Sequence, residues 1–221
     1  MNILAIAPHP DDDVIGCGGT LCHLAASGHH VTVLYLTSGD AGDAIVEPMI
    51  LSRIRETEAR NASAILGIHE CEFLHLPDGN IQDDEPTIIL LTNTIRRHKP
   101  DMIFIPHATD GHKDHQTTYR LLMESIYRSG ARAHQSISGT PWRIPTVLTY
   151  EVWTPLPTVS YAEDITDVIG KKMDAIKAHA SQLKNVAYDQ AMIGLHQYRA
   201  ATQGVGQYAE CFFIVRIDKI W

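Results

Sequence analysis

Residues 2–13 read NILAIAPHPDDD, and the fold is decided by how that stretch is taken. Asn2–Pro8 is an apolar run without polar alternation, ended by proline, the pattern of a strand buried on both faces. A charged turn, His9-Pro10-Asp11-Asp12-Asp13, follows at once. Gly16–Ser27, entered through Gly-Cys-Gly-Gly, predicts a helix stopped by Gly28. Outward from there the same alternation repeats. Val31–Thr37, Cys71–Leu76 and Asp101–Pro106 read as strands. Pro48–Leu66, with Gly67 as its C-cap, Pro86–His98 and His115–Arg128 read as helices. Thr146–Val152 and Phe212–Ile217 are later strands, and Asp167–His179 and Tyr188–Thr202 later helices.

Strands alternating with helices of this length predict an α/β, Rossmann-like fold, with a mainly parallel sheet flanked by helices on both faces. A doubly wound order 3-2-1-4-5 makes strands one and four neighbours whose crossovers leave on opposite faces. Ligands bind at such a reversal, at the carboxyl ends of the strands. The loops after Pro8 and Pro106 should therefore form the site. Residues 129–145, rich in Ser, Gly, Arg and Pro, read as a surface loop, so 1–221 is taken as one domain. That loop carries His134 and is long enough to serve as a lid or as an interface in a homo-oligomer.

Composition narrows the partners. The net charge is −8, with no Lys/Arg stripe, which disfavours a nucleic-acid backbone. Arg96-Arg97 with Lys99 reads as the basic last turn of a helix. No run approaches the ~18 apolar residues of a membrane span. The apolar residues 2–8 are too short, and too soon followed by acids, for a signal peptide. Cys17, Cys22, Cys71 and Cys211 form no CxxC pair and read as reduced thiols, so a cytoplasmic protein is expected. Neither Gly16–Gly19 nor Gly39–Gly42 fits GxGxxG, which disfavours a dinucleotide.

The unusual residues lie in the two forecast loops: His9-Pro10-Asp11-Asp12-Asp13, and Asp110-Gly111-His112-Lys113-Asp114-His115. Three consecutive acids repel one another unless a cation or strong donors sit beside them. Catalytic zinc typically takes three protein nitrogen or oxygen ligands and keeps one position for water. Taken singly, an Asp after a strand could simply cap a helix, and His-x-x-His is common by chance. Their joint placement at the switch point favours a metal site.

The run Ala7-Pro8-His9-Pro10-Asp11-Asp12 resembles the hallmark of the PIG-L/LmbE-like zinc-dependent de-N-acetylases, and His112-Lys113-Asp114-His115 resembles their second signature. Thr37-Ser38-Gly39, Arg55-Glu56-Thr57-Glu58 with Leu66-Gly67, and Leu76-Pro77-Asp78-Gly79 continue the likeness. His179-Ala180-Ser181-Gln182 and Tyr208-Ala209-Glu210 extend it to the end of the chain. The departures are Asp13, where the family usually has Glu, and Pro8 in place of Ala.

This resemblance implies His9, Asp12 and His115 as zinc (Zn2+) ligands and Asp11 as general base. It makes His112 the donor to a developing oxyanion, with Asp114 orienting and charging it. Arg55 would point toward a substrate oxygen and Asp78 toward sugar hydroxyls. Arg55 could equally be an exposed partner of Glu56 or Glu58, and Asp78 only a turn residue. His75, His107 and His179 read as structural. The implied reaction is zinc-dependent hydrolysis of an N-acetyl (N-acyl) group on an N-acetylglucosamine-type small molecule or glycoside, releasing acetate and a free amine. The alternative is a zinc-bound carbohydrate-binding or sensing module without turnover.

Overall fold

A computed structural model describes residues 1–132, 136–184 and 186–218. His134 therefore lies outside the described residues. The elements run β1 (Asn2–Ala7), α1 (Asp12–Ala26), β2 (His30–Tyr35), α2 (Pro48–Leu66), β3 (Glu70–Phe73), α3 (Glu85–His98), β4 (Met102–Pro106) and α4 (Lys113–Gly130). They continue through β5 (Thr146–Tyr150), β6 (Tyr161–Asp164), α5 (Ile169–Ala178), α6 (Ala180–Leu183), α7 (Tyr188–Gln203) and β7 (Ala209–Ile217).

The seven strands form one sheet in the order β3-β2-β1-β4-β5-β7-β6. The first five are mutually parallel, and β7 runs antiparallel to both β5 and β6. The forecast 3-2-1-4-5 order is thus present, extended by an antiparallel edge. In β1, Ile3, Ala5 and Ala7 enter a core shared with α1, α2 and α5, while Leu4 and Ile6 enter one shared with α3 and α4. An unbroken apolar strand is what burial on both faces requires.

Helix α1 begins at Asp12, a turn earlier than Gly16. Its glycines lie inside the helix because neighbours press on them. A Cβ on Gly16 would strike the Tyr150 ring, and one on Gly19 would lie 2.7 Å from Ile165 Cγ2. Glu210 of β7 secures the same helix. It accepts from Gly19 N and Thr20 N, both at 2.7 Å, and pairs with the fully buried Lys172 at 2.5 Å. Strand β6 and helix α6 were not anticipated from the sequence.

Arg96 is buried rather than a solvated helix-end cation. Its guanidinium donates to the carbonyls of Arg128, Ser129, Ala131, Ser138 and Gly139. The described ends of the 129–145 loop are thereby fixed against α3.

Candidate metal centre and active site

The reversal between β1 and β4 opens where the two motif loops leave the sheet. Asp11 is the N-cap residue of α1, but its carboxylate makes no capping hydrogen bond, and its backbone sits at φ 139°. Such a conformation costs a non-glycine residue ~1–3 kcal/mol and persists where surroundings enforce it. Arg55 helps to do so, donating to Pro10 O at 2.9 Å and to Gly39 O at 3.1 Å.

Three donor atoms meet at the floor. His9 Nδ1 lies 3.2 Å from Asp12 Oδ2, Asp12 Oδ2 lies 3.2 Å from His115 Nε2, and His115 Nε2 lies 3.3 Å from His9 Nδ1. Ligands held ~2.0–2.1 Å from a tetrahedral zinc are separated by roughly 3.3 Å. The triangle therefore fits a zinc-sized ion. A second grouping, His9 with His112 and His115, is also close enough to hold one.

Each imidazole is aimed by a carboxylate on its other nitrogen. His9 Nε2 lies 3.1 Å from Asp78 Oδ1 and 3.3 Å from Asp114 Oδ2. Those acids are tied down in turn: Asp78 accepts from Ala41 N, and Asp114 from Gly79 N and Ile81 N. His115 Nδ1 faces Asp110 Oδ1 at 3.3 Å. A metal-binding histidine is characteristically oriented through its second nitrogen in this way.

Three of the expected site residues make further contacts. The Asp114 carboxylate hydrogen-bonds His9, while the contact to His112 comes from the Asp114 backbone, whose N–H donates to His112 Nδ1 at 3.2 Å. Arg55 is buried and spends its donors on loop carbonyls, with Nη2 3.3 Å from Asp11 Oδ2, although it still borders the cavity. Asp78 also borders the cavity but reaches His9. Asp13, the departure from the family pattern, lies beneath the site and accepts from Tyr35 OH at 2.9 Å.

The electrostatics follow from burial and pairing. Burial favours neutral His9, but Asp114, Asp12 and Asp78 outweigh it and hold the ring well above the ordinary histidine value. Burial likewise opposes charge on His115, yet Asp12 and Asp110 push it up to about 9. Asp12 is held far below the usual carboxylate range, where His115 and His9 overcome its burial. Asp11 differs. Burial drives its carboxyl up to about 7 although Arg55 pulls the other way. His112 is lowered, first by burial and then by His9 and His115. Because its Nδ1 accepts from the backbone, the neutral ring carries its proton on Nε2.

Above this floor is a cavity of about 270 Å³, bordered also by Ala41, Gly42, Trp153, Gln182, Val186 and Tyr188. His179 is buried nearby, and neither ring nitrogen has a hydrogen-bond partner among the described residues. Burial and Arg55 lower its pKa to about 3. His107 Nε2 donates to Thr154 O, in the segment after β5, at 2.8 Å, and its Nδ1 lies 3.1 Å from Thr109 Oγ1 in its own loop.

Sequence reasoning overlooked Asp110, Trp153, Tyr188 and Gln182. Asp110 was within reach, since a ligand His115 needs a partner for its second nitrogen. Trp153 follows the carboxyl end of β5, the edge already singled out. Gln182 arrives from α6 and Tyr188 from α7; both stood in segments already singled out, but only tertiary packing brings their side chains to the cavity.

A Rossmann-like sheet carrying a His/Asp cluster at its switch point defines a candidate metal-assisted enzyme. Residues 4–126 match the model of the PIG-L family, described as GlcNAc-PI de-N-acetylase, and the chain belongs to this family. Diacetylchitobiose deacetylase of Thermococcus kodakarensis is 31% identical over 190 residues, covering 82% of this chain and 70% of that protein. The N,N'-diacetylchitobiose deacetylase structure from Pyrococcus horikoshii superposes with a TM-score of 0.83 at 27% identity, over 96% of this chain and 83% of that one. The hydratase GalB of Pseudomonas putida KT2440, which acts on 4-carboxy-2-hydroxymuconate, reaches a TM-score of 0.85 at 23% identity over the full length of both chains. That last likeness is one of fold alone. Among the described residues, no helix is long and apolar enough to cross a membrane.

Proposed function

We propose that residues 1–221 act as one zinc-dependent N-deacetylase domain. It would hydrolyse the acetamide of an N-acetylglucosamine-type small molecule to acetate and a free amine. The observation that carries this reading is the 3.2–3.3 Å triangle of His9 Nδ1, Asp12 Oδ2 and His115 Nε2, with the Asp11 carboxylate, paired to Arg55, lining the same cavity. The family membership and the deacetylase relatives support the amide as the bond broken.

Zinc held by His9, Asp12 and His115 would supply Lewis acidity and lower the pKa of the attacking water. The protein's own residues supply the rest. Asp78 and Asp114 hold the His9 ring so that its Nδ1 lone pair faces Asp12 and His115. Asp110 does the same for His115. Asp11, with a carboxyl near neutrality and Arg55 fixing its position, takes the proton from the attacking water and delivers it to the departing nitrogen. The Nε2–H of His112 donates to the carbonyl oxygen as negative charge builds there.

Zinc-loaded protein assayed for amine release from N-acetylglucosamine and diacetylchitobiose tests the reading. Turnover with about one zinc per chain is expected. Zinc binding with no amine release from either compound would favour the carbohydrate-binding or sensing module. Water addition to an unsaturated acid, without amide hydrolysis, would place the chain with its hydratase neighbour.

A further inference from the structure

The indole of Trp153 has no part in the chemistry assigned above, yet it borders the same cavity with 47% of its surface exposed. Most of the cavity floor is charged or hydrogen-bonding: His9, Asp11, Asp12, Arg55, Asp78 and His112. Against that floor the indole is a broad apolar plane, and the backbone that carries it is held in place. The backbone N–H groups of Trp153 and Thr154 donate to Asp110 Oδ2 at 3.0 and 3.3 Å. The other oxygen of Asp110 accepts from His112 N at 2.9 Å and faces His115 Nδ1. Tyr188 meets the indole edge-on, with ring centroids 5.6 Å apart at 69°, and the His112 ring lies 6.5 Å away at 23°. One buried carboxylate thus fixes an aromatic wall, a candidate metal ligand and a candidate oxyanion donor in a common frame.

A pyranose ring carries hydroxyls around its rim and C–H bonds on its faces. The rim suits carboxylates and imidazoles, and a C–H face suits the electron-rich face of an indole. We propose that Trp153 is the sugar-binding wall of this site, its indole packing against a C–H face of the substrate ring, with Asp110 setting the wall's position relative to His112 and His115. This rests on the amino-sugar reading above. It adds that the ring, beyond the acetamide, is recognised, and that Trp153 recognises it.

Calorimetry on zinc-loaded protein separates the two ideas. Glucosamine presents the ring and acetate the acyl fragment, and neither titration requires turnover. Trp153→Ala should weaken glucosamine about 10-fold while acetate binding and zinc content stay within about twofold, and Trp153→Phe should recover most of the loss. In the amine-release assay, KM for N-acetylglucosamine should rise by a similar factor with kcat little changed. An unchanged glucosamine Kd, a parallel loss of acetate, or a parent that binds acetate but not glucosamine would each overturn the proposal. A parent that binds glucosamine yet releases no amine from N-acetylglucosamine overturns the functional reading instead.

Discussion

Asp11 and His112 both line the cavity beside the His9–Asp12–His115 triangle, and substitution separates their parts. Asp11→Asn removes a base whose carboxyl lies near 7 while keeping its volume and its place beside Arg55. Metal content and fold should persist, and kcat should fall roughly 10²-fold or more. Parent-like turnover would assign water activation elsewhere. A base must be ionised to act, so kcat/KM should decline on the acid side, and a bound cation will draw that limb below 7. His112→Ala should keep metal and nearly unchanged KM, with kcat reduced by about 10²–10³-fold. Loss of metal would instead make His112 a ligand through the second grouping, so zinc content is measured beside the kinetics. His115→Ala should lose most of the metal. Before a cation binds, His115 holds its proton up to about 9, so uptake must expel it. Apparent zinc affinity should therefore climb with pH to about 9, and calorimetry in buffers of different ionisation enthalpy should count the protons released.

Two contacts join elements and give predictions on stability. Arg96 links α3 to the last turn of α4 and the backbone after it through five carbonyls. Arg96→Met strands those acceptors and should cost roughly 2–4 kcal/mol in denaturant unfolding, with turnover per folded molecule unchanged. Arg96→Lys, with three donors, should fall between. His23 ties the last turn of α1 to Glu163 of β6 at 3.1 Å and to Asp167 at 2.9 Å. Partial burial opposes its charge, but the two carboxylates raise its pKa. A raised folded-state value means the stabilisation is full below the unfolded value of ~6.5 and is lost as pH climbs through the folded one. The Tm gap between parent and His23→Ala should be widest below the unfolded value of ~6.5 and should close as pH rises through the raised folded-state value.

Elements were legible where local pattern decides them: β1 through its apolar run, β4 through its proline stop, α2 through Pro48 and Gly67. The first turn of α1 was hidden because Asp11-Asp12-Asp13 read as a charged turn, while the glycines that follow accommodate Tyr150 and Ile165 from distant segments. β6 was hidden in a proline-spaced stretch whose four residues become strand by pairing with β7. Arg96 shows the same limit, since its carbonyl partners are set by how α3 meets α4.

At the scale of the whole molecule, the position of the site followed from topology before any chemistry, and the structure places both motif loops at the β1/β4 reversal. The triangle atoms came from residues already picked out. What remained hidden was which acid aims which ring, because Asp78, Asp110 and Asp114 stand in similar turns and only the folded loops divide His9 from His115. The charged floor, from His9 to His115, lies wholly within the segment matched by the family model, while Trp153, Gln182, Val186 and Tyr188 come from the chain beyond it. The two parts of the site can therefore diverge at different tempos. Drift or recombination in the later stretch can redraw the list of accepted molecules, while the earlier stretch, which carries the His9–Asp12–His115 triangle and the acids that aim it, keeps the bond-breaking step as it was inherited.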